Sequence, residues 1–228
     1  MLFRSVRKDH VDSGRYKTPK DLKGFRFAMS GPGVSNSSTL NQLLTSAGLK
    51  FDDVTPVSLS FPEHFLALQN KAVDAGATSE PILTQALKAG VAVLLKGDDE
   101  IDPGHQLAVI LYSEGFAAKR DVATRFMRAY LRGARFYLKA LKDSRFAGEN
   151  ADEVIAILAE FTAVKDQAIL RRIVPSGIDA NGAVNIASLQ KDADFYLSRG
   201  WLEKPIKIAD VVDESFVQEA ARQLGPFR

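Results

Sequence analysis

The sequence predicts an α/β fold with a parallel sheet, because short β-favouring runs alternate with helical patterns through the first half of the chain. The spacing of these runs is that of βαβ units, in which a helix connects two neighbouring parallel strands. After Ala118 the pattern changes to helices alone. Ligands bind such sheets at the carboxyl ends of the strands. The residues that follow each predicted strand are therefore the first candidates for a functional site.

The composition argues against several classes of function. The 228 residues are 46% hydrophobic and 25% charged, as in an ordinary globular protein. The net charge is only +2, so no strong field favours nucleic acid or a membrane surface. The absence of cysteine excludes disulfides, thiolate metal sites and a cysteine nucleophile. His10, His64 and His105 lack metal-ligand spacing, and we expect neither a metal nor a cofactor.

Targeting signals are not visible in the sequence. No apolar run approaches the length of a membrane span. The opening residues, MLFRSVRKDHV, do not contain the apolar core of a signal peptide. As written, the chain is expected to carry no export signal.

The first elements are a strand ending near residue 8 and then a junction of strand, turn and helix over residues 25–48. Gly31, Pro32 and Gly33 force a sharp turn, and the four residues that follow Val34 offer helix N-caps. Such a junction aims backbone N–H groups and the positive helix end at one spot, where an anionic or strongly polar group can bind. A well-capped helix explains the same pattern equally well. The candidate ligand contacts here are Ser30, Gly33, Ser35, Asn36 and Ser37.

Further strands are predicted at residues 54–59, 73–78, 92–95 and 106–112, with helices at 62–72 and 82–88. Two of these strands also end in polar or small residues, and the three strand ends should lie side by side at one edge of the sheet. Phe61, Ser79 and Glu80 are the added candidates for ligand contact. Phe61 either stacks on a ligand or simply packs. Glu80 either accepts hydrogen bonds from a ligand or is held by a neighbouring helix N-terminus, and the turn at Pro81 favours the first interpretation.

The second half of the sequence predicts amphipathic helices at residues 121–141, 152–161, 166–173, 186–197 and 214–224. No strand follows them, so another part of the structure must cover their apolar faces. The cationic stripe of Arg128, Arg132, Arg135 and Lys139 follows helical spacing and is expected to be a solvated face, with docking to another protein as the alternative.

Two enzyme motifs match the first junction only in part. The dinucleotide fingerprint fails because Asn36 stands in place of its third glycine and no acidic residue closes the second strand. The nucleophile elbow fails at its last position, Ser37, and no histidine stands where a catalytic triad would need it.

Three segments taken together resemble solute-binding proteins of the nitrate, taurine and alkanesulfonate class of ABC importers. They are DLKGFRFAMSGPGVSNSSTLNQLL, LKFDDVTPVSLSFPEHFLALQNKAVDAGATSEPILTQALKAG and SEGFAAKRDVATRFMRAYLRGARFY. The resemblance implies a type II periplasmic-binding-protein fold, with two α/β lobes, two crossing strands as a hinge, and a ligand in the cleft between the lobes. It also implies a small-molecule ligand, membrane permease subunits as partners and no enzymatic activity. The family's polar strand-end loops correspond to Ser30, Ser35, Asn36, Ser37 and Glu80.

The same resemblance divides the chain into three parts. Residues 1–20 would be the hinge strand and a remnant of lobe 1, residues 21–105 would be lobe 2, and residues 106–228 would be the return crossing and the C-terminal helices of lobe 1. Family members begin with an export signal and the first half of lobe 1, which this sequence lacks. We therefore expect an incomplete first lobe, possible self-association through uncovered helix faces, and a periplasmic or lipid-anchored location for a full-length member.

Two other functions remain open on the sequence alone. One is a biosynthetic enzyme of the type that makes the thiamine pyrimidine precursor, although that branch resembles a histidine- and cysteine-dependent chemistry and this chain has no cysteine. The other is a ligand-sensing domain of a regulator. The ligand is also open among sulfonate, nitrate, carboxylate and pyrimidine, because the predicted donors are generic.

Overall fold

A computed structural model describes residues 2–227 of the chain. The chain forms two compact units. Unit 1 comprises Met1–Leu107 and Ala187–Ile206, and unit 2 comprises Ala108–Ile186 and Lys207–Arg228. Each unit has its own hydrophobic core.

Unit 1 is built on a five-stranded sheet with the strand order β3-β2-β4-β1-β5. Its strands are β1 (Leu2–Arg7), β2 (Arg26–Met29), β3 (Thr55–Ser58), β4 (Ala75–Ser79) and β5 (Ala92–Gly97). The pairings of β2 with β3 and with β4 are parallel, whereas β1 runs antiparallel to β4 and β5. The predicted parallel sheet is therefore confirmed for its β3-β2-β4 portion, and those three carboxyl ends meet at one edge.

The helices of unit 1 cover this sheet. They are α1 (Lys8–Asp12), α2 (Ser35–Ser46), α3 (Phe61–Gln69), α4 (Ile82–Lys88) and α5 (Asp98–Ile101), with short 3₁₀ turns at Pro19–Leu22 and Phe51–Asp53. Leu40 and Leu44 of α2 are fully buried and pack with Phe27 and Met29 of β2. This spacing of three to four residues is the apolar helix face that the sequence predicted.

Unit 2 contains most of the later helices and a small hairpin. These elements are α6 (Glu114–Ala117), α7 (Arg120–Lys139), β6 (Leu141–Lys142), β7 (Arg145–Phe146), α8 (Ala151–Phe161), α9 (Gln167–Leu170) and, near the C-terminus, α11 (Ser215–Leu224). Helices α7 and α11 pack through Leu131, Val217 and Ala220. No helix within residues 2–227 is long and apolar enough to cross a membrane.

Helix α10 (Ile186–Ser198) corrects one expectation, because most of it belongs to unit 1 rather than to the later helices. Phe195 and Trp201 pack against Phe51 and against each other, with ring centroids 5.5–5.7 Å apart, and both contacts of Trp201 are edge-on. Arg199 adds two hydrogen bonds to Asp52 at 2.9 and 2.6 Å. The predicted boundary at residue 106 therefore does not separate the two units completely.

One further prediction differs from the structure. Residues 106–112 were predicted as a strand, but they form no regular secondary structure, and Leu111 is 86% exposed. Residues 1–20 were expected to contain the hinge strand and a remnant of lobe 1, and in the structure β1 lies in the sheet of unit 1, between β4 and β5. The assignment of the units to the two lobes, and the expected self-association, remain predictions.

Candidate ligand-binding site

The three predicted strand ends are neighbours in the structure. Strand β2 lies between β3 and β4 in the sheet, and all three run in the same direction. Ser30 follows β2, Phe61 comes shortly after β3, and Ser79 is the last residue of β4, directly before Glu80. The sheet therefore brings all three candidate loops to a single edge of unit 1.

The turn between β2 and α2 leaves backbone donors available. Gly33 has φ +68°, a left-handed conformation that a residue with a side chain rarely adopts. Val34 then occupies the N-cap position without any side-chain cap, so the prediction that Ser35, Asn36, Ser37 or Ser38 caps this helix is wrong. Within residues 2–227, the N–H groups of Ser35 and Asn36 donate no hydrogen bond. Two donors therefore stand at the positive end of a twelve-residue helix, which favours an anion.

Ser30 is the exposed hydroxyl of this turn. Its Oγ accepts a 2.8 Å hydrogen bond from Asn36 Nδ2, which leaves the hydroxyl hydrogen free to donate to a ligand. Asn36 itself is only 1% exposed, and Ser37 is fully buried with its Oγ donating to the Val34 carbonyl at 2.6 Å. The side chains of Asn36 and Ser37 therefore hold the turn in shape, and Ser35 is half-buried.

The loop after β3 is stabilised by its own cap. Ser60 is the N-cap of α3, and its N–H and Oγ both donate to Glu63 Oε2 at 2.8 and 2.6 Å. Phe61 is half-buried and packs edge-on against the His64 ring, with centroids 5.4 Å apart. Simple packing thus explains part of the Phe61 surface, and the remainder is available to a ligand.

His64 connects two of the strand ends. It is fully buried, with Nδ1 3.2 Å from Thr78 Oγ1 of β4 and Nε2 3.2 Å from the Leu59 carbonyl after β3. Burial lowers the pKa of His64, so the ring stays neutral near physiological pH. The two contacts make His64 a hydrogen-bonded histidine of the core.

The loop after β4 places Glu80 next to helix α4. The carboxylate Oε2 accepts a 3.1 Å hydrogen bond from the Thr84 N–H, in the first turn of α4. Of the two interpretations of Glu80, the contact with a helix N-terminus is thus present in the structure. Glu80 and Ser79 are both half-buried, so part of each faces the same edge of the sheet.

Sequence reasoning missed Arg4, which lies behind the same turn. The Arg4 side chain is fully buried in β1, and its Nη2 reaches the Asn36 carbonyl oxygen at 3.4 Å. Nη1 lies 2.9 Å from Asp98 Oδ1. Burial lowers the pKa of Arg4 and raises the pKa of Asp98, and each charge partly offsets this effect on the other. The single signal in the sequence was an arginine within an apolar run, LFRSV.

The cationic stripe of α7 is less solvated than expected. Arg135 donates to the carbonyl oxygens of Ala180 and Gly225, both at 2.9 Å, and to Asn181 Oδ1. Arg128 donates to Gln223 at 2.9 Å. These arginines therefore tie α7 to the C-terminal segments of unit 2. Within residues 2–227, no cluster of His, Asp and Glu side chains is suited to hold a metal ion.

Known proteins resemble this chain in sequence. A family model described as "NMT1/THI5 like" matches residues 10–141. A curated relative from Bacillus subtilis, described as a putative aliphatic sulfonates-binding protein, is 27% identical over 207 residues. That alignment covers 90% of this chain and 59% of the relative, so the chain spans about three fifths of the relative's length.

Solved structures share the fold. The alkanesulfonate-binding protein SsuA from Xanthomonas axonopodis pv. citri, bound to MOPS, superposes with a TM-score of 0.69 at 22% identity, covering 93% of this chain and 69% of that chain. The periplasmic nitrate-binding protein NrtA from Synechocystis PCC 6803 gives a TM-score of 0.69 at 14% identity, covering 98% and 65%. DSZB, a desulfurization enzyme, in complex with biphenyl-2-sulfinic acid gives 0.58 at 17% identity, covering 97% and 76%. The fold is thus that of type II periplasmic binding proteins, as the resemblance implied.

Proposed function

The chain belongs to the NMT1/THI5-like family, and from this membership we propose that it is the substrate-binding component of an ABC importer. In this role it captures a small anionic solute at the carboxyl edge of the unit 1 sheet and presents it to a membrane permease. It acts outside the cytoplasmic membrane, where periplasmic relatives such as the nitrate-binding protein work. Among the anions left open by the sequence, we favour an alkanesulfonate, because the B. subtilis relative and one structural neighbour carry sulfonate in their names.

The observation that carries this proposal is the set of unused donors at the start of α2. The N–H groups of Ser35 and Asn36 and the hydroxyl of Ser30 offer three hydrogen-bond donors from one turn. A sulfonate offers three acceptor oxygens and one negative charge, so its needs match these donors and the positive helix end. The half-buried ring of Phe61, on the neighbouring strand end, supplies an apolar surface for the alkyl part.

The direct test compares an anion with its neutral isostere. Isothermal titration calorimetry is done with methanesulfonate and with dimethyl sulfone, which keeps the shape but replaces one charged oxygen by a methyl group. Nitrate, taurine, an aromatic carboxylate and a pyrimidine complete the set. We expect binding of methanesulfonate and none of the sulfone. Equal affinity for the two compounds would contradict an anion site at α2.

A matched pair of variants locates the binding. Ser30→Ala removes one hydrogen bond to a charged group, which is worth about 1.5 kcal/mol, or about tenfold in affinity. Ser46→Ala, at the exposed far end of the same helix, should leave the affinity unchanged. Equal affinities of the two variants would argue against the assigned turn.

An enzyme on the same fold is the alternative outcome, because DSZB shares this architecture. It is tested by incubating the protein with methanesulfonate and with an aromatic sulfinate and following both by NMR. A solute-binding protein returns the compounds unchanged. Release of sulfite would assign the chain to the enzymes.

A further inference from the structure

The most unusual buried group near the candidate site is the Arg4 guanidinium. Arg4 lies in β1, with β4 on one side and β5 on the other, and its side chain is fully excluded from solvent. Its Nη2 donates to Thr39 Oγ1 and to the Asn36 carbonyl oxygen. Thr39 Oγ1 in turn donates to the Ser35 carbonyl oxygen at 3.2 Å. One guanidinium therefore supports, from behind, the two residues whose N–H groups form the candidate site.

The buried ion pair of Arg4 with Asp98 lacks hydrogen bonds. Asp98 Oδ1 lies 2.9 Å from Nη1, but the pair does not have hydrogen-bond geometry. Among residues 2–227, Nε and Nη1 of Arg4 and both carboxylate oxygens of Asp98 have no hydrogen-bond partner. Buried charges are normally both paired and fully hydrogen-bonded. Arg4 and Asp98 therefore form a close buried ion pair that is not fully hydrogen-bonded, and Nη2 of Arg4 contacts the Asn36 carbonyl oxygen in the α2 turn.

We propose that Arg4 is a positioning and specificity-determining residue for the anion site at α2, and that Asp98 sets how strongly its charge is felt there. This inference rests on the proposed function. Arg4 fixes the first turn of α2, and its guanidinium, which contacts that turn, favours an anion over a neutral solute in front of it, whereas the negative charge of Asp98 opposes this effect. Because the interior screens charge weakly, a unit charge about 10 Å from a bound anion changes its affinity on the order of tenfold.

The two residues predict opposite effects on affinity. Asp98→Asn removes the negative charge and keeps the shape, so methanesulfonate should bind on the order of tenfold more tightly, even though the variant unfolds at lower urea. Arg4→Met removes the positive charge, so the same ligand should bind on the order of tenfold more weakly. A purely structural role of this pair would weaken binding in both variants.

The chain offers a matched control in Asp102. This acid is also buried near α5, and it accepts hydrogen bonds from Gln42 of α2 at 2.9 Å and from Lys191 at 2.6 Å. Within residues 2–227, Asp102 forms neither a hydrogen bond nor an ion pair with Arg4, whose partners are Asn36, Thr39 and Asp98. Asp102→Asn should therefore destabilise the protein without tightening methanesulfonate binding. A gain equal to that of Asp98→Asn would overturn the inference, because the effect would then follow net charge alone.

The experiment is calorimetric titration of the full chain and its variants with methanesulfonate, accompanied by urea unfolding. Tighter binding of methanesulfonate by Asp98→Asn, but not by Asp102→Asn, supports the inference. This comparison tests the inference even if Arg4→Met fails to fold. Unchanged or weaker binding by Asp98→Asn overturns the inference but leaves the proposed function standing, provided that the wild type binds. A wild-type protein that binds no anion overturns both.

Discussion

Asn36→Asp is the perturbation that separates ligand binding from folding at the candidate site. Asn36 is the second residue of α2 and is 1% exposed, and aspartate has almost the same shape. A carboxylate there accepts a hydrogen bond from the Ser30 hydroxyl. It also interacts favourably with the positive helix end, by about 0.3–1 kcal/mol, which offsets part of the cost of burying a charge. The fold is therefore expected to tolerate the change.

Anion binding should respond far more strongly. An anion on the Asn36 N–H would lie about 5 Å from the new carboxylate, and two like charges at about 5 Å and an effective dielectric constant of about 20 repel by about 3 kcal/mol. That repulsion corresponds to a loss of affinity of more than about a hundredfold. The assay is calorimetric titration with methanesulfonate, with urea unfolding as the measure of stability.

The control for net charge is Thr45→Asp. Thr45 is exposed and lies nine residues further along α2, which is about 14 Å at 1.5 Å per residue. This distance exceeds the screening length of about 8 Å at physiological salt, so the affinity should stay within about threefold of wild type. If Asn36→Asp also stays within about threefold while remaining folded, the anion does not bind at the α2 turn and the reasoning is refuted.

Three further predictions concern stability and use urea unfolding. Burial opposes the ionisation of Asp74, yet hydrogen bonds from Arg26 hold its pKa well below the usual range. The stability that the ionised carboxylate contributes is therefore present above about pH 4 and is lost as the pH falls. Asp74→Asn should therefore cost about 3–5 kcal/mol at neutral pH and progressively less in acid; a constant difference would contradict this. Burial lowers the pKa of His64, so on acidification the unfolded chain takes up the proton before the folded protein does. The stability of the wild type should therefore decrease as the pH drops below about 6.5, and His64→Gln should make this decrease smaller. In unit 2, Gly182→Ala should cost at least about 1 kcal/mol, because φ is +71° and the new Cβ would lie 2.5 Å from Val217 Cγ2; unchanged stability would argue against that close approach.

Local patterns were sufficient for most elements of unit 1. Helix α4 begins and ends at the predicted residues, because Pro81 precedes it and its apolar positions repeat at helical spacing. The cap at Ser60 was visible as a serine followed three residues later by Glu63. The adjacency of the three strand ends followed from the general behaviour of parallel sheets.

The misplaced features depend on contacts between distant parts of the chain. Arg4 is buried because Thr39 and Asp98, 35 and 94 positions away, meet it inside the fold, and no local pattern reports such a partnership. Ser35, Asn36, Ser37 and Ser38 all have side chains that can cap a helix, so cap preference alone could not identify Val34 as the residue at the helix start.

The predicted strand at residues 106–112 failed for a related reason. Its composition is that of a buried strand, but a strand also needs a regular ladder of hydrogen bonds with a neighbouring strand, and composition does not report whether that ladder forms. Helix α10 likewise carries an ordinary amphipathic pattern. Its place against Phe51 in unit 1 became evident only from the tertiary contacts of Phe195 and Trp201.

The measurement that tests the central claim most directly is an NMR titration of the isotope-labelled protein with methanesulfonate, which reports on individual backbone N–H groups. We expect the largest shifts on the N–H groups of Ser35 and Asn36, with smaller shifts at Ser30, and we expect dimethyl sulfone to produce none of them. Saturable shifts confined to other segments, with Ser35 and Asn36 unmoved, would contradict an anion site at the start of α2.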